Sequence, residues 1–233
     1  MKIYSKITRY LVAVDCIIFG YDILEKELKL LLIKRSFEPA KGHWSLAGGF
    51  VDEGESLDEA AIRILLNLTS LKNVFMEQSY CYGAVDRDHG SRVISTSNFA
   101  LIKIQDIDKK LNDLNGAHWH SISSLPELIF DHSEMVAKAL QELQCQIKIK
   151  PVGFELLPEK FTLIQLQALY EAIYQKPIDS RNFRRKVLSM NLLLKLDEKE
   201  TTTSKKGAYY YRFIAERYQR FRKDGFYFDL DVS

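Results

Sequence analysis

A chain of 233 residues exceeds the usual size of one compact domain, so two domains of unequal size are expected. With 46% hydrophobic, 12% aromatic and 27% charged residues it can bury a substantial core, which excludes a disordered chain. No apolar run reaches bilayer length and Met1-Lys2-Ile3-Tyr4-Ser5-Lys6 is too polar for a signal peptide, so the cytoplasm is expected, with no membrane partner.

In chain order, residues 11–19 (Leu-Val-Ala-Val-Asp-Cys-Ile-Ile-Phe) read as a buried strand and residues 28–33 as its partner across a polar turn. The period then changes: Leu57, Ala60, Ala61, Ile64, Leu65 and Leu68 form one helical stripe, and Ile62 with Leu66 suggest burial on a second side. Strands are expected again at 74–85 and 93–104, separated by Asp86-Arg87-Asp88-His89-Gly90-Ser91, read as a charged loop tip; a helix near 133–146 closes the module. Strands first, one internal helix and a closing helix predict an α/β sandwich of about 150 residues, not a doubly wound sheet. Cys16, Cys81 and Cys145 are odd in number and form no CxxC pair, so small buried hydrophobes are expected, not disulfides or structural zinc.

Pro151-Val152-Gly153 reads as a linker between domains 1–150 and 151–233. Thr162-Leu163-Ile164-Gln165 fits a capping box, and Leu163, Leu166, Tyr170 and Ile173 continue a helical face. Gln175-Lys176-Pro177 ends that helix and Asp179 caps the next, which turns Phe183, Val187 and Met190 inward. Residues 192–196 and 208–214 then read as strands around a polar hairpin tip, the order of a winged helix-turn-helix. Charge supports a division of labour: residues 1–150 carry 18 Lys+Arg and 20 Asp+Glu, whereas the remainder carries 15 and 11.

The second helix places Ser180-Arg181-Asn182-Phe183-Arg184-Arg185-Lys186 in one stretch. With Phe183 inward, Arg181, Arg184, Arg185 and Lys186 face out, and such a helix lies in the DNA major groove with its N-terminal residues nearest the bases. Arginine and asparagine match guanine and adenine edges, and lysine suits phosphate. The expected DNA-binding residues are Thr162, Ser180, Arg181, Asn182, Arg184, Arg185 and Lys186, with Lys205 and Lys206 at the wing tip. One short helix reads few base pairs, so a homodimer on paired half-sites is expected.

Gly48-Gly49-Phe50-Val51-Asp52-Glu53-Gly54-Glu55, followed by a helix carrying Arg63, resembles the signature of the Nudix hydrolases. That signature is Gly, five residues, Glu, seven residues, then Arg-Glu-apolar-x-Glu-Glu-x-Gly-apolar; Gly49, Glu55, Arg63, Leu65 and Leu71 match in register. The departures fall on the metal ligands, since Ile64 replaces the glutamate after arginine, Asn67 and Leu68 replace the glutamate pair, and Ser70 replaces glycine. Magnesium wants several oxygen ligands, and Glu55 with Asn67 cannot rebuild such a site, so no metal, cofactor or catalytic residue is expected.

With Phe161-Thr162-Leu163, Tyr170-Glu171-Ala172-Ile173 and the Arg181 stretch, the whole chain resembles the Nudix-related transcriptional regulators. That resemblance implies an α+β protein: an N-terminal Nudix α/β/α sandwich with a mixed sheet, then a winged helix-turn-helix. It also implies a regulator, expected to be a repressor, whose Nudix domain binds ADP-ribose, a nucleotide sugar or a sugar, and which binds palindromic operator DNA as a dimer. Arg35, Trp44, Phe50, Glu55, Arg92 and Trp119 stand where the family has its substrate cleft, as arginines for phosphate or sugar oxygens and aromatics for stacking. Two alternatives remain: a hydrolase with metal ligands relocated to Glu53, Glu59 or Asp86, and an adaptor whose winged helix contacts protein.

Overall fold

The computed structural model describes residues 7–72, 74–106, 116–150, 152–201 and 207–223. They fall into two compact units, one drawn from Met1–Phe19, Leu30–His120 and Ser124–Ala139, the other from Gly20–Lys29, Ser121–Ser123 and Leu140–Ser233.

A seven-stranded sheet is built from β1 (Leu11–Asp22), β2 (Glu27–Lys34), β3 (Trp44–Ser45), β4 (Ala47–Phe50), β5 (Phe75–Tyr82), β6 (Val93–Lys103) and β7 (Ala117–Ser121). Its order is β3-β2-β1-β6-β5, with β4 added to β1 and β7 to β2. β1 is buried without interruption from Ala13 to Tyr21, as a strand covered on both faces must be. Helix α1 (Leu57–Thr69) starts at a reciprocal cap, in which Ser56 Oγ accepts from Glu59 N and Glu59 Oε2 accepts from Ser56 N. Its stripe of Ala60, Ala61, Ile64, Leu65 and Leu68 packs with Val14, Cys16, Ile18, Leu31 and Ala100. The expected second buried side is absent: Ile62 is 55% exposed and Leu66 half-buried, because one face alone meets the sheet. Helix α2 (His132–Ile149) buries Met135, Val136, Ala139, Leu143 and Ile147 at helical spacing.

The second unit contains β8 (Phe161–Thr162), α3 (Leu163–Tyr174), α4 (Ser180–Ser189), β9 (Leu193–Glu200), β10 (Ala208–Phe213) and α5 (Ala215–Lys223). β10 pairs antiparallel with both β8 and β9, giving helix, turn, helix and hairpin. The turn is tied from within: Gln167 Nε2 donates to Ile178 O at 3.1 Å and Glu171 Oε1 accepts from Ile178 N at 3.0 Å. Phe183 packs on Tyr170, with ring centroids 5.5 Å apart, and so fixes the rotation of α4. The cysteines divide: Cys16 is buried, its thiol pushed up to about 12 by burial first and by Asp15 second, whereas Cys81 and Cys145 are exposed, contrary to expectation.

One charged network lies inside the first unit. Arg87 is buried, not a loop tip, and donates twice to Asp131, from Nε at 2.8 Å and Nη2 at 2.7 Å. Asp15 Oδ2 lies 3.7 Å from the same guanidinium and accepts from Ser95 Oγ at 2.6 Å. His132 Nε2 stands 3.8 Å from Asp15 Oδ1, while its Nδ1 accepts from the Leu46 amide at 3.1 Å. Gly48 makes room for this arrangement, since a Cβ there would meet Asp15 Oδ1 at 2.2 Å.

Breaking a buried ion pair on one side leaves an uncompensated charge, so Arg87→Ala is expected to cost about 3–5 kcal/mol, read as an earlier denaturant midpoint, with Arg87→Lys intermediate. A midpoint equal to the parent's would show that the pair does not support the fold. Burial also holds His132 below the ordinary imidazole value, outweighing the opposing pull of Asp15 and Asp131. Because the folded pKa is depressed, the unfolded chain takes up its proton first. Stability therefore falls as pH drops below about 6.5, and a thermal-melting series from pH 8 to 5 is expected to flatten in His132→Gln. A Gln variant with the parent's pH slope would assign that loss to other groups.

Candidate functional site

The network forms the floor of a cleft of about 460 Å³ between β1, β4 and the loop after β2. Asp15, Arg87 and His132 line it together with Arg35, Phe37, Gly48, Phe50 and Phe130. Arg35 is the cation its geometry prepares best. Its Nε donates to Phe37 O at 3.2 Å, and its guanidinium sits 4.0 Å from the Phe37 ring centroid and 5.7 Å from that of Phe130. Cation–π contacts on two rings hold the fork in place, leaving its remaining donors for an anion. A second cavity, of about 720 Å³, shares Arg87 and Phe130 with the first and is rimmed by Tyr80, Tyr82 and His89.

Of the six expected effector residues, Arg35 and Phe50 line the cleft, and Phe50 is half exposed at its lip. Trp44 is engaged edge-on by His118 and His120, at 5.5 and 4.5 Å, and lies beside the cleft-lining Lys34. His120 is held below its ordinary value by burial and then by His118. Trp119 packs against the α1 core and its buried indole N–H finds no partner among the described residues. Arg92 donates to Ala84 O at 2.8 Å and covers Tyr10 at 5.3 Å.

Glu55 is held by Arg63, whose Nε donates to Oε2 at 2.9 Å and whose Nη2 contacts Oε1. The Asp52 amide adds a donor to Oε1 at 2.9 Å. The Arg63 bond, then the Asp52 amide, bring the Glu55 carboxyl down to about 2. At the positions where the Nudix signature has glutamates, Ile64 and Leu68 are buried in the core and Asn67 is exposed. Among the described residues no group of three or more His, Cys, Asp or Glu side chains is placed to hold a metal ion.

In the second unit, Asp179 caps α4 by accepting from Asn182 N at 2.7 Å. Arg181, Arg184 and Arg185 are exposed, Asn182 and Lys186 half-buried, and Arg185 Nη2 donates to Asn182 Oδ1 at 2.7 Å. Ser180 Oγ accepts from Gln167 at 2.9 Å. Thr162 is buried and its hydroxyl caps α3 by accepting from Gln165 N at 3.2 Å. Lys205 and Lys206 lie outside the described residues.

Sequence reasoning missed Asp15, Arg87, His132, Phe37 and Phe130. Asp15 alone carried a signal, as the one charge inside an apolar strand. Among the described residues no helix is long and apolar enough to cross a membrane.

Residues 9–139 match the NUDIX domain family, and residues 153–213 match the NrtR DNA-binding winged helix domain family. The ADPR responsive transcriptional repressor NtrR of Acinetobacter baylyi is 30% identical over 212 residues, 89% of this chain and 84% of that protein. The ADP-ribose pyrophosphatase of Methanocaldococcus jannaschii is 37% identical over 136 residues, 58% of this chain and 76% of that one. Among solved structures, Shewanella oneidensis NrtR complexed with a 27mer DNA superposes with a TM-score of 0.77 at 30% identity, covering 89% of this chain and 95% of that one. With both modules matched in order and the likeness running through nearly the whole chain, this protein belongs to the Nudix-related transcriptional regulators, a NUDIX domain followed by an NrtR DNA-binding winged helix domain.

Proposed function

We propose that the chain is an ADP-ribose-responsive transcriptional repressor whose Nudix domain, residues 1–150, binds the effector without hydrolysing it. Residues 151–233 hold operator DNA, and the working form is a homodimer. The observation that carries this reading is the pairing of Glu55 with Arg63 beside an open cleft that presents a pre-set Arg35. A diphosphate finds a cation in the cleft, while a divalent metal finds its expected carboxylates replaced by Ile64, Asn67 and Leu68. The residues present do not fit the metal that Nudix hydrolysis uses.

A hydrolytic reading has one observation in its favour, the 37% identity to the archaeal pyrophosphatase. Of its candidate ligands, Glu59 closes the α1 cap, and Asp86 lines the second cavity, not the cleft that holds Arg35. A single assay separates the two. The protein is incubated with ADP-ribose and magnesium or manganese, with melting temperature and AMP release followed together. ADP-ribose is expected to raise the melting temperature by mass action, AMP to stay at background, and Arg35→Ala to need about tenfold more ligand for the same shift. AMP release that disappears in Glu55→Gln would establish the hydrolase.

For the DNA half, a duplex selected from a random pool supplies the operator. Arg181 stands in the first turn of α4, where a major-groove helix approaches the bases most closely. Arg181→Ala is expected to weaken the selected duplex by about 1–3 kcal/mol and to relax its sequence preference. Selected sites are expected to contain two half-sites about 34–36 Å apart, matching a dimer in light scattering. Parent-like affinity and selectivity in Arg181→Ala would remove α4 as the reading element.

A further inference from the structure

The hydrogen bonds of His132 select one tautomer of its neutral ring. Nδ1 accepts from the Leu46 amide at 3.1 Å, so the neutral imidazole carries its proton on Nε2, which faces Asp15 Oδ1 at 3.8 Å. His132 is 3% exposed, yet it and Leu46 both line the cleft that holds Arg35. A basic nitrogen is therefore occupied by a backbone donor at the wall of a site suited to an anion.

The charges acting on this ring come from four segments. Asp15 reaches it from β1 and Asp131 from the residue before α2, and both favour a proton there. Arg87, from the loop after β5, and Arg35, from the loop after β2, oppose it. Ser95 Oγ donates to Asp15 Oδ2, which leaves Oδ1 turned to His132. Phe130 touches both sides of the balance, with the Arg35 guanidinium and the His132 ring each 5.7 Å from its ring centroid. Lys34 and Asp88 are the other charged side chains lining the cleft, and Glu134, on α2 itself, lines the second cavity instead. Two arginines against two aspartates leave the surroundings of the ring neutral, and burial then keeps the ring neutral too. An anion settling on Arg35 cancels one of the opposing cations and tips that balance toward imidazolium.

We infer that the cleft takes up a proton at His132 Nδ1 when a diphosphate ligand pairs with Arg35, so that the effector is held more tightly as pH falls. The proton comes from solvent: an N–H bond forms at Nδ1, and the hydrogen bond from the Leu46 amide is given up. The imidazolium keeps Asp15 as its counter-ion through Nε2, and the cleft wall gains a donor where it had an acceptor. The inference rests on the reading of this cleft as the effector site and adds a regulation to it. The ligand-bound ring titrates at a higher pH than the free one, so affinity is constant above the titration of the complex and grows below it.

The test follows ADP-ribose binding to the full chain by titration calorimetry from pH 8 to pH 5.5, in two buffers of different ionisation enthalpy. Both phosphates of this ligand stay singly ionised over that range, so a proton taken up on binding goes to the protein. Affinity is expected to rise by about three- to tenfold toward the lower pH, with uptake approaching about one proton per chain. His132→Gln is expected to lose both the rise and the uptake. Should that variant fail to fold, the single variants His43→Gln, His89→Gln, His118→Gln and His120→Gln assign the proton by exclusion, since each must keep the uptake.

Flat affinity without proton uptake in the parent protein would overturn the inference, and so would proton release on binding. Uptake that survives in His132→Gln, or disappears in one of the other four variants, moves the proton elsewhere and overturns it equally. Absence of ADP-ribose binding at every pH is a separate failure, because it removes the effector reading itself. Binding that is tight but independent of pH leaves that reading standing, and only the linkage to His132 falls.

Discussion

The Arg87–Asp131 ion pair ties together the polar interior of the first unit. A guanidinium shielded from water is tolerated only where its charge and its fork of donors are matched, and the bidentate carboxylate of Asp131 does this from 44 residues away. Three separate segments are thereby referenced to one point: β1 through Asp15, the loop after β5 through Arg87, and the start of α2 through Asp131 and His132. Gly48 follows from the same requirement, because a side chain on β4 would displace the Asp15 carboxylate. The polar floor of the cleft is thus the exposed edge of a structural network, and a ligand entering it meets groups whose positions are already fixed.

Helix α1 carries Ile64, Asn67 and Leu68 at the positions where the Nudix signature has glutamates. Ile64 and Leu68 turn positions that would face cations into part of the core against β1 and β6. Burying such side chains stabilises the domain by about 1.5–3 kcal/mol each, whereas several carboxylates gathered without a metal repel one another. Arg63 and Glu55 remain and answer each other, so the loop before α1 keeps its shape through a hydrogen-bonded pair. Catalysis requires tighter binding of the transition state than of the ground state; a sensor requires only that the ground-state ligand stay bound and intact. On the proposed reading, Ile64, Asn67 and Leu68 in place of metal ligands, with Arg35 kept, would move the site from the first condition toward the second.

Features with local physical causes were legible in the sequence. The capping box at Thr162 and the Asp179 cap depend on residues three positions apart, and the stripes of α1 and α4 are set by helical spacing. The two-module order followed from the linker-like Pro151-Val152-Gly153, the shift in charge balance and the helix, turn, helix, hairpin order after it. What depends on distant partners was not legible. Nothing near Arg87 announces Asp131, so a charged triplet read as a loop tip. Trp44 and Trp119 looked like ligand-stacking aromatics, but their surroundings are supplied by His118, His120 and the α1 core. Strands of two to five residues such as β3, β4, β7 and β8 are too short for alternation to register, and Ile62 shows that an apolar residue on a helix is not by itself evidence of burial.

Arginine is used in two ways that match the two kinds of anion in prospect. In the cleft, Arg35 is clamped by two rings and a carbonyl, which suits a small ligand: the complex has few contacts, so freedom lost on binding weighs heavily and pre-setting the cation removes part of that loss. On α4, Arg181 and Arg184 stand exposed, and in the proposed role each could follow the groove it enters. DNA tolerates that looseness because its affinity comes largely from counterions released along a long array of phosphates, and each arginine needs order only once bound. Such a division also bears on regulation. An effector and a DNA that influence each other's affinity must do so by the same factor in both directions. On the proposed reading, a pre-set effector site would convert ligand binding into a defined population shift, and an adaptable DNA surface would let that shift be felt as a graded loss or gain of phosphate contacts.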